Sequence, residues 1–215
     1  MCAIYNIMKD KILIETTQYL QKFYPNADEQ YIYDGLKYYS SIYRSELKNN
    51  TDPLTIAASF QQLVDKTINE SKEKDSNNFK KVKCKKSCSS CCNIAVCISH
   101  EEAILYSKII ETQKISIDHK KLKIQSQYNT ANWYQLKPQY RSCIFLKNNQ
   151  CQIYKYRPIS CRVHFVADNP KYCNVLKYNK KPITIWRPIE SELIVMTMTL
   201  LGRANYMPIK LLEVF

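Results

Sequence analysis

Four cysteines within nine residues constrain this chain more than any other feature. They lie in the string Cys84-Lys-Lys-Ser-Cys88-Ser-Ser-Cys91-Cys92, and nine of the ten cysteines fall within one stretch of ninety residues. Cysteines two or three residues apart can turn their sulfurs toward one ion, and thiolates are the soft ligands that zinc and iron–sulfur clusters prefer. Adjacent Cys91 and Cys92 have diverging side chains unless the backbone turns, so the spacing leaves open whether they reach one metal or two. The pattern predicts metal ligands.

The cellular compartment decides how such a cysteine pattern is interpreted. The first eight residues form too short an apolar run for a secretory signal, which needs roughly 7 to 15 apolar residues after a basic start. The longest nearly apolar run, Leu193–Leu201, is shorter than the roughly 18 residues of a membrane span. We therefore expect no signal peptide, no membrane span and a cytoplasmic protein, where metal ligands or redox thiols are favoured over disulfides.

Composition excludes some functions and leaves others open. Only 2 glycines are present, which argues against glycine-rich phosphate loops. The 32 Lys and Arg against 19 Asp and Glu give a net charge of +13, which favours acidic partners without choosing among them. The lysine run from Lys80 to Lys86 and the 17 tyrosines could bind nucleic acid, but a solvated face is the favoured interpretation. An unidentified protein partner also stays open.

The spacing of apolar residues predicts a mainly α-helical protein. Three helices are expected in a region 1–80, and the third begins at Asp52-Pro53, where the carboxylate can cap free amides and proline suits the first turn. The first has apolar residues at spacings of three and four: Ile12, Ile14, Tyr19, Leu20 and Phe23. The chain is expected to divide into this helical region, a cysteine-rich region 81–176, and a C-terminal helix and tail 177–215 that pack on the same core.

Local motifs predict three further elements. Ser99 and Glu102 have the spacing of a capping box, so a helix is expected to begin there. A small hairpin is expected around Asn148-Asn149, which would bring Cys143 near Cys151. A last helix is expected from Pro188 through the apolar run, with Gly202 as its stop.

A second cysteine motif carries a resemblance to a known family. It reads Cys151-Gln-Ile-Tyr-Lys-Tyr-Arg157-Pro158-Ile-Ser-Cys161-Arg162 and follows Cys143. Together with the first group, it resembles the bacterial YkgJ-like cysteine cluster family of zinc- or iron-chelating proteins, which is related to the flagellin lysine methylases. The resemblance covers roughly Cys84 to Cys173. Two positions depart from the family pattern: Ile144 stands where a proline is common and Asn149 where a glycine is usual, and neither change removes a thiol.

The resemblance implies a ligand set and several possible functions. Eight thiols could close two tetrahedral zinc sites, or four of them could hold one [4Fe-4S] cluster while the others stay free. The thiols that fit the pattern are Cys84, Cys88, Cys91, Cys92, Cys143, Cys151, Cys161 and Cys173. The negative charge of thiolates is stabilised by nearby cations. Arg157 and Arg162 are expected beside the ligands, and the further candidates are Arg141 and the lysines at 80, 81, 83, 85 and 86. Cys2 and Cys97 are expected to be ordinary thiols, and His164 is an alternative ligand or a neighbour of the site.

Metal binding is therefore the first functional hypothesis. A protein-modifying enzyme similar to a lysine N-methylase, or a redox protein, is the alternative that the resemblance implies, although no glycine loop for a methyl donor is present. A basic nucleic-acid-binding protein is the second alternative.

Overall fold

The computed structural model describes residues 2–85, 87–173 and 183–215, with side chains described from residue 10 onward. Within these ranges the chain is mainly α-helical, and its strands form only short antiparallel pairs. The predicted fold class is confirmed. Lys86, the expected boundary between residues 176 and 177 and the side chain of Cys2 lie outside what is described.

Three long helices make up the N-terminal part, as predicted: α1 (Cys2–Gln21), α2 (Glu29–Asn49) and α3 (Pro53–Lys74). The Asp52 carboxylate accepts hydrogen bonds from the backbone N–H of Leu54 at 3.2 Å and of Thr55 at 3.0 Å, which caps α3. A short helix, α4 (Ser76–Phe79), follows before the chain becomes extended.

The buried face of α1 differs from the apolar spacing in the sequence. Leu13, Thr17 and Leu20 are buried, and they recur at intervals of four and three residues. Leu20 contacts the cluster that α1 shares with α2. The other apolar residues named for this region are exposed: Ile12, Ile14, Tyr19 and Phe23.

The cysteine-rich region consists of short elements joined by turns. The helices are α5 (His100–Thr112), α6 (His119–Gln125), α7 (Pro138–Arg141) and α8 (Ile159–Arg162). The strands are β1 (Cys97–Ser99), β2 (Leu146–Lys147), β3 (Gln150–Cys151) and β4 (Phe165–Val166). Single 3-10 turns lie at Ser90–Asn93, Trp133–Gln135, Tyr154–Tyr156 and Pro170–Cys173.

The predicted capping box and hairpin are both present. Ser99 Oγ accepts from the Glu102 backbone N–H at 3.1 Å, and the Glu102 carboxylate accepts from the Ser99 backbone N–H at 3.2 Å. Strands β2 and β3 pair with Leu146 opposite Cys151. The turn between them places Asn148 and Asn149 at φ of 50° and 58°, a conformation that asparagine tolerates better than most residues.

The C-terminal part adds elements that the sequence did not predict. Strand β5 (Ile185–Trp186) pairs with β4, and α9 (Ile189–Leu200) follows Pro188 and ends before Gly202, whose φ is +68°. The predicted helix is confirmed, but it is not the last one. Strand β6 (Ala204–Tyr206) pairs antiparallel with β1, and α10 (Met207–Leu212) packs on α5.

The buried side chains that the structure describes form three clusters. One surrounds α5 and includes Tyr106, Phe145 and Leu211. The second joins the N-terminal helices to the cysteine-rich region, because Phe60 of α3 shares it with Ile159 of α8. The third joins α1, α2 and α9. No helix in the described part of the chain has the length and hydropathy needed to cross a bilayer. The division into three regions stays a prediction.

Candidate metal centre

The first four cysteines lie on an irregular segment between α4 and β1. Ser87 has a φ of 74°, so the backbone turns sharply between Cys84 and Cys88. Cys91 and Cys92 then lie on the 3-10 turn Ser90–Asn93. The Cys84 sulfur accepts a hydrogen bond from the Val166 backbone N–H at 3.2 Å, which connects this segment to β4.

The other four cysteines come from three different elements and from the residues just before β2, and all four places lie near this segment. Cys143 precedes β2, and its backbone N–H donates to the Cys92 carbonyl at 2.7 Å. Cys151 lies on β3, Cys161 on α8 and Cys173 on the turn Pro170–Cys173, which contacts the turn carrying Cys91. The fold therefore brings the two sequence motifs together.

Mutual effects on the thiol pKa values divide the cysteines into two neighbouring groups. The first set consists of Cys84, Cys88 and Cys173. Burial is the largest cause that raises the pKa of Cys173 to about 11, and the nearby Cys91, Cys84 and Cys88 thiols raise it further. Burial also raises the pKa of Cys84, and the nearby Cys88 and Cys91 thiols add to the increase.

The second set consists of Cys92, Cys143, Cys151 and Cys161. A hydrogen bond with Cys91 and burial raise the pKa of Cys92, and the nearby Cys143 and Cys161 thiols add to the increase. Burial raises the pKa of Cys161 well above its usual range, and the nearby Cys143, Cys91 and Cys151 thiols raise it further. Burial likewise raises the pKa of Cys143 to about 11, with contributions from Cys151 and Cys91. The predicted proximity of Cys143 and Cys151 is present in the structure.

The Cys91 thiol is near enough to both sets to affect their pKa values. Its thiol raises the pKa of members of both, and it shares a hydrogen bond with Cys92 that lowers its own pKa. Cys97, in contrast, has a pKa raised by burial alone. The expectation that Cys97 stands apart from the motif cysteines agrees with this difference.

Two cations lie close enough to stabilise thiolates in the second set. Lys121 on α6 lowers the pKa of Cys143, and its ammonium group donates to Ser142 Oγ at 2.6 Å. The Arg157 guanidinium lowers the pKa of Cys151 and stacks 4.5 Å from the Tyr154 ring centroid. Lys121 was missed by the sequence analysis, because it is twenty-two residues from Cys143 and only the packing of α6 brings the two together.

The remaining predicted cations have other partners or exposed side chains. Arg162 is buried and donates to two backbone carbonyls, to Gln61 and to Asp65. Arg141 donates to the carbonyls of Leu136 and Tyr134. The lysines at 80, 81, 83 and 85 are exposed.

His164 lies beside Arg187. Its Nδ1 is 3.2 Å from an Arg187 guanidinium nitrogen, and burial together with that cation lowers the pKa of His164 to about 4. The imidazole is therefore neutral at pH 7. Its backbone carbonyl faces the Cys84 sulfur at 4.0 Å, so this residue borders the first set.

The thiols are gathered, but they do not converge on one point. Among the described side chains, those of residues 10–85, 87–173 and 183–215, no three His, Cys, Asp or Glu residues form a group that could hold a metal ion as they stand. The donor type nevertheless suits zinc or iron, since both are bound by cysteine thiolates in proteins.

Comparison with protein families adds to this geometry. A family model described as "CxxCxxCC: Putative zinc- or iron-chelating domain" matches residues 83–185, which include all eight motif cysteines. Residues 83–185 belong to the CxxCxxCC family. This is the family of the YkgJ-like proteins, so the family found in the sequence is confirmed, whereas its relation to the lysine methylases stays a prediction. The family supports the binding of zinc or iron by the CxxCxxCC domain. No curated protein and no solved structure matches the chain.

Proposed function

We propose that the CxxCxxCC domain chelates zinc or iron through its eight motif cysteines, arranged as two adjacent sets with Cys91 between them. The observation that carries this proposal is the convergence of the two cysteine motifs: the Cys143 backbone N–H donates to the Cys92 carbonyl at 2.7 Å, and the turn Pro170–Cys173 contacts the turn that carries Cys91. Such an arrangement has enough thiolates for two tetrahedral zinc ions or for one [4Fe-4S] cluster with further thiols beside it.

The charges around the second set support metal binding. Burial and neighbouring thiols raise the pKa of Cys143 and Cys161, so these thiols hold their protons when no metal is bound. A bound cation favours the thiolates, and uptake therefore releases protons. Lys121 and Arg157 offset part of the negative charge that four thiolates would bring.

Metal uptake on this proposal includes a rearrangement of the thiols. Since no three potential ligands converge in the described residues, the side chains of each set must rotate toward a common point. The bound metal would fasten the segment of Cys84–Cys92 to α8 and the β2–β3 hairpin. Structural sites of this kind contribute folding free energy directly.

The experiment is metal analysis and an absorption spectrum of protein purified without oxygen. We expect stoichiometric zinc with no visible absorption, or iron with labile sulfide and a coloured spectrum. Cys91→Ser is expected to lower the metal content, whereas Cys97→Ser, the matched control, leaves it unchanged. Wild-type protein without stoichiometric metal after reconstitution would overturn the proposal. The lysine N-methylase-like, redox and nucleic-acid-binding alternatives stay predictions from the sequence.

A further inference from the structure

Cys161 lies on a short segment, residues 154–162, that would not be stable in isolation. The segment contains a single 3-10 turn and the four-residue helix α8. Helices of one turn are unstable in isolation, because nucleation fixes several dihedral angles for few hydrogen bonds. The position of the Cys161 sulfur therefore depends on contacts from other elements.

Arg162 provides the main connection between this segment and α3. Its guanidinium donates to the Lys155 carbonyl at 2.8 Å and to the Arg157 carbonyl at 2.9 Å, which closes the segment on itself. The same group donates to Gln61 Oε1 at 3.0 Å and to Asp65 Oδ2 at 2.7 Å, both on α3. Four hydrogen bonds thus fix the residue that directly follows Cys161.

Gln61 holds the segment through both ends of its amide. While its oxygen accepts from Arg162, its nitrogen donates to the Tyr156 carbonyl at 3.1 Å. Gln61 is 6% exposed, so water cannot easily replace these bonds. Asp65 is more accessible, with its side chain 49% exposed, and supplies the counter-charge of the buried guanidinium.

The opposite side of the segment is fixed by α5 and β1. Glu102 accepts from the Ile159 backbone N–H at 2.9 Å, and Ser160 Oγ donates to the Cys97 carbonyl at 2.9 Å. Hydrogen bonds on both sides therefore hold α8 in place.

We propose that Gln61 and Asp65 are positioning residues of the metal centre, which act through Arg162 to place the Cys161 sulfur. This inference rests on the proposed function. It assigns a role to α3, which lies outside the matched residues 83–185. Groups that orient a metal ligand without touching the metal typically change metal affinity by about 10- to 100-fold when they are removed.

The test uses the full chain and two readouts, zinc affinity by competition with a chromophoric chelator and the absorption spectrum of the Co²⁺-loaded protein. Gln61→Met keeps the length of the side chain and removes its hydrogen bonds, so we expect zinc affinity to fall about tenfold or more. The cobalt–thiolate absorption should also change. Asp65→Asn should shift both readouts in the same direction by less, and Asp65→Glu should restore them toward wild type.

Two controls separate positioning from general loss of stability. Glu70→Gln makes a similar carboxylate-to-amide change on the same helix, where Glu70 has only an exposed pair with Lys66 at 3.9 Å in the described contacts. Leu36→Ala lowers stability through the cluster of α1, α2 and α9, which does not include α8. Both controls should retain the zinc affinity and the cobalt spectrum of wild type.

The outcomes are distinguishable. Wild-type protein that takes up neither zinc nor cobalt, and in which metal analysis finds no iron, would overturn the proposed function and this inference together. If wild-type protein holds iron alone, iron content and visible absorption are the two readouts for the same variants. Normal uptake by wild type, with unchanged affinity and spectrum in Gln61→Met and Asp65→Asn, would overturn the positioning role alone. If Gln61→Met does not fold, Asp65→Asn decides the result, because the partly exposed Asp65 tolerates substitution.

Discussion

Replacing Glu102 by alanine is expected to lower the free energy of unfolding by about 3 kcal/mol. The side chain is only 1% exposed, and its carboxylate accepts from three buried donors, which are the backbone N–H groups of Ser99 and Ile159 and the Tyr106 hydroxyl. A buried donor without an acceptor costs about 1–3 kcal/mol. The buried carboxylate is poorly solvated, which also raises the pKa of Glu102, so removing the carboxylate recovers part of the loss. We therefore take the lower end, about 1 kcal/mol for each donor.

The assay is urea unfolding followed by circular dichroism, with the same metal content in every sample. For a chain of this size, the loss corresponds to a Tm lower by about 6–12 °C. Glu111→Ala is the matched control on α5, because Glu111 is exposed and pairs only with Lys108 at 2.8 Å among the described contacts. Its effect should stay within about 0.5 kcal/mol. A loss below about 1 kcal/mol for Glu102→Ala, with an unchanged m-value, would refute the reasoning.

Two other predictions concern thiol reactivity and glycine positions. In metal-free protein at pH 7, iodoacetamide should modify Cys91 before Cys143. The reason is that a hydrogen bond lowers the pKa of Cys91, whereas burial raises the pKa of Cys143 to about 11. Peptide mapping by mass spectrometry checks the order, and a faster reaction at Cys143 would contradict the prediction. Gly35→Ala should lower the free energy of unfolding by about 1–3 kcal/mol, because the new methyl group would lie 2.6 Å from the buried Leu193 side chain. Gly202→Ala should lower it by only about 1 kcal/mol, because its φ of +68° causes strain but no atom lies within 4 Å of the new methyl group. Thermal unfolding of both variants compares the two costs, and equal Tm values would contradict this ranking.

Local motifs were enough to predict several elements of the fold. The Asp52 cap, the Ser99–Glu102 box and the Asn148-Asn149 turn each depend on residues within four positions of one another. Their hydrogen bonds form between neighbours in the sequence, so the spacing of these residues is enough to predict the local structure.

Long-range contacts could not be predicted in the same way. Arg162 is expected beside thiols from its place in the motif, but its side-chain partners Gln61 and Asp65 precede it by about a hundred residues. The proximity of Lys121 to Cys143 likewise depends on how α6 packs. The buried face of α1 was ambiguous because apolar residues occur on several sides of that helix, and only the packing against α2 selects one.

The pairing of β1 with β6 has a consequence for synthesis of the protein. Cys97–Ser99 pairs with residues 204–206, and Met207 and Leu211 complete the buried cluster around α5. Until the ribosome has translated the roughly one hundred residues between Tyr106 and Met207, Ile98 and Tyr106 lack these partners. The first four motif cysteines, Cys84 to Cys92, are therefore synthesised well before the buried cluster around α5 can form, and during that period their thiols are accessible to oxidation or to early metal binding.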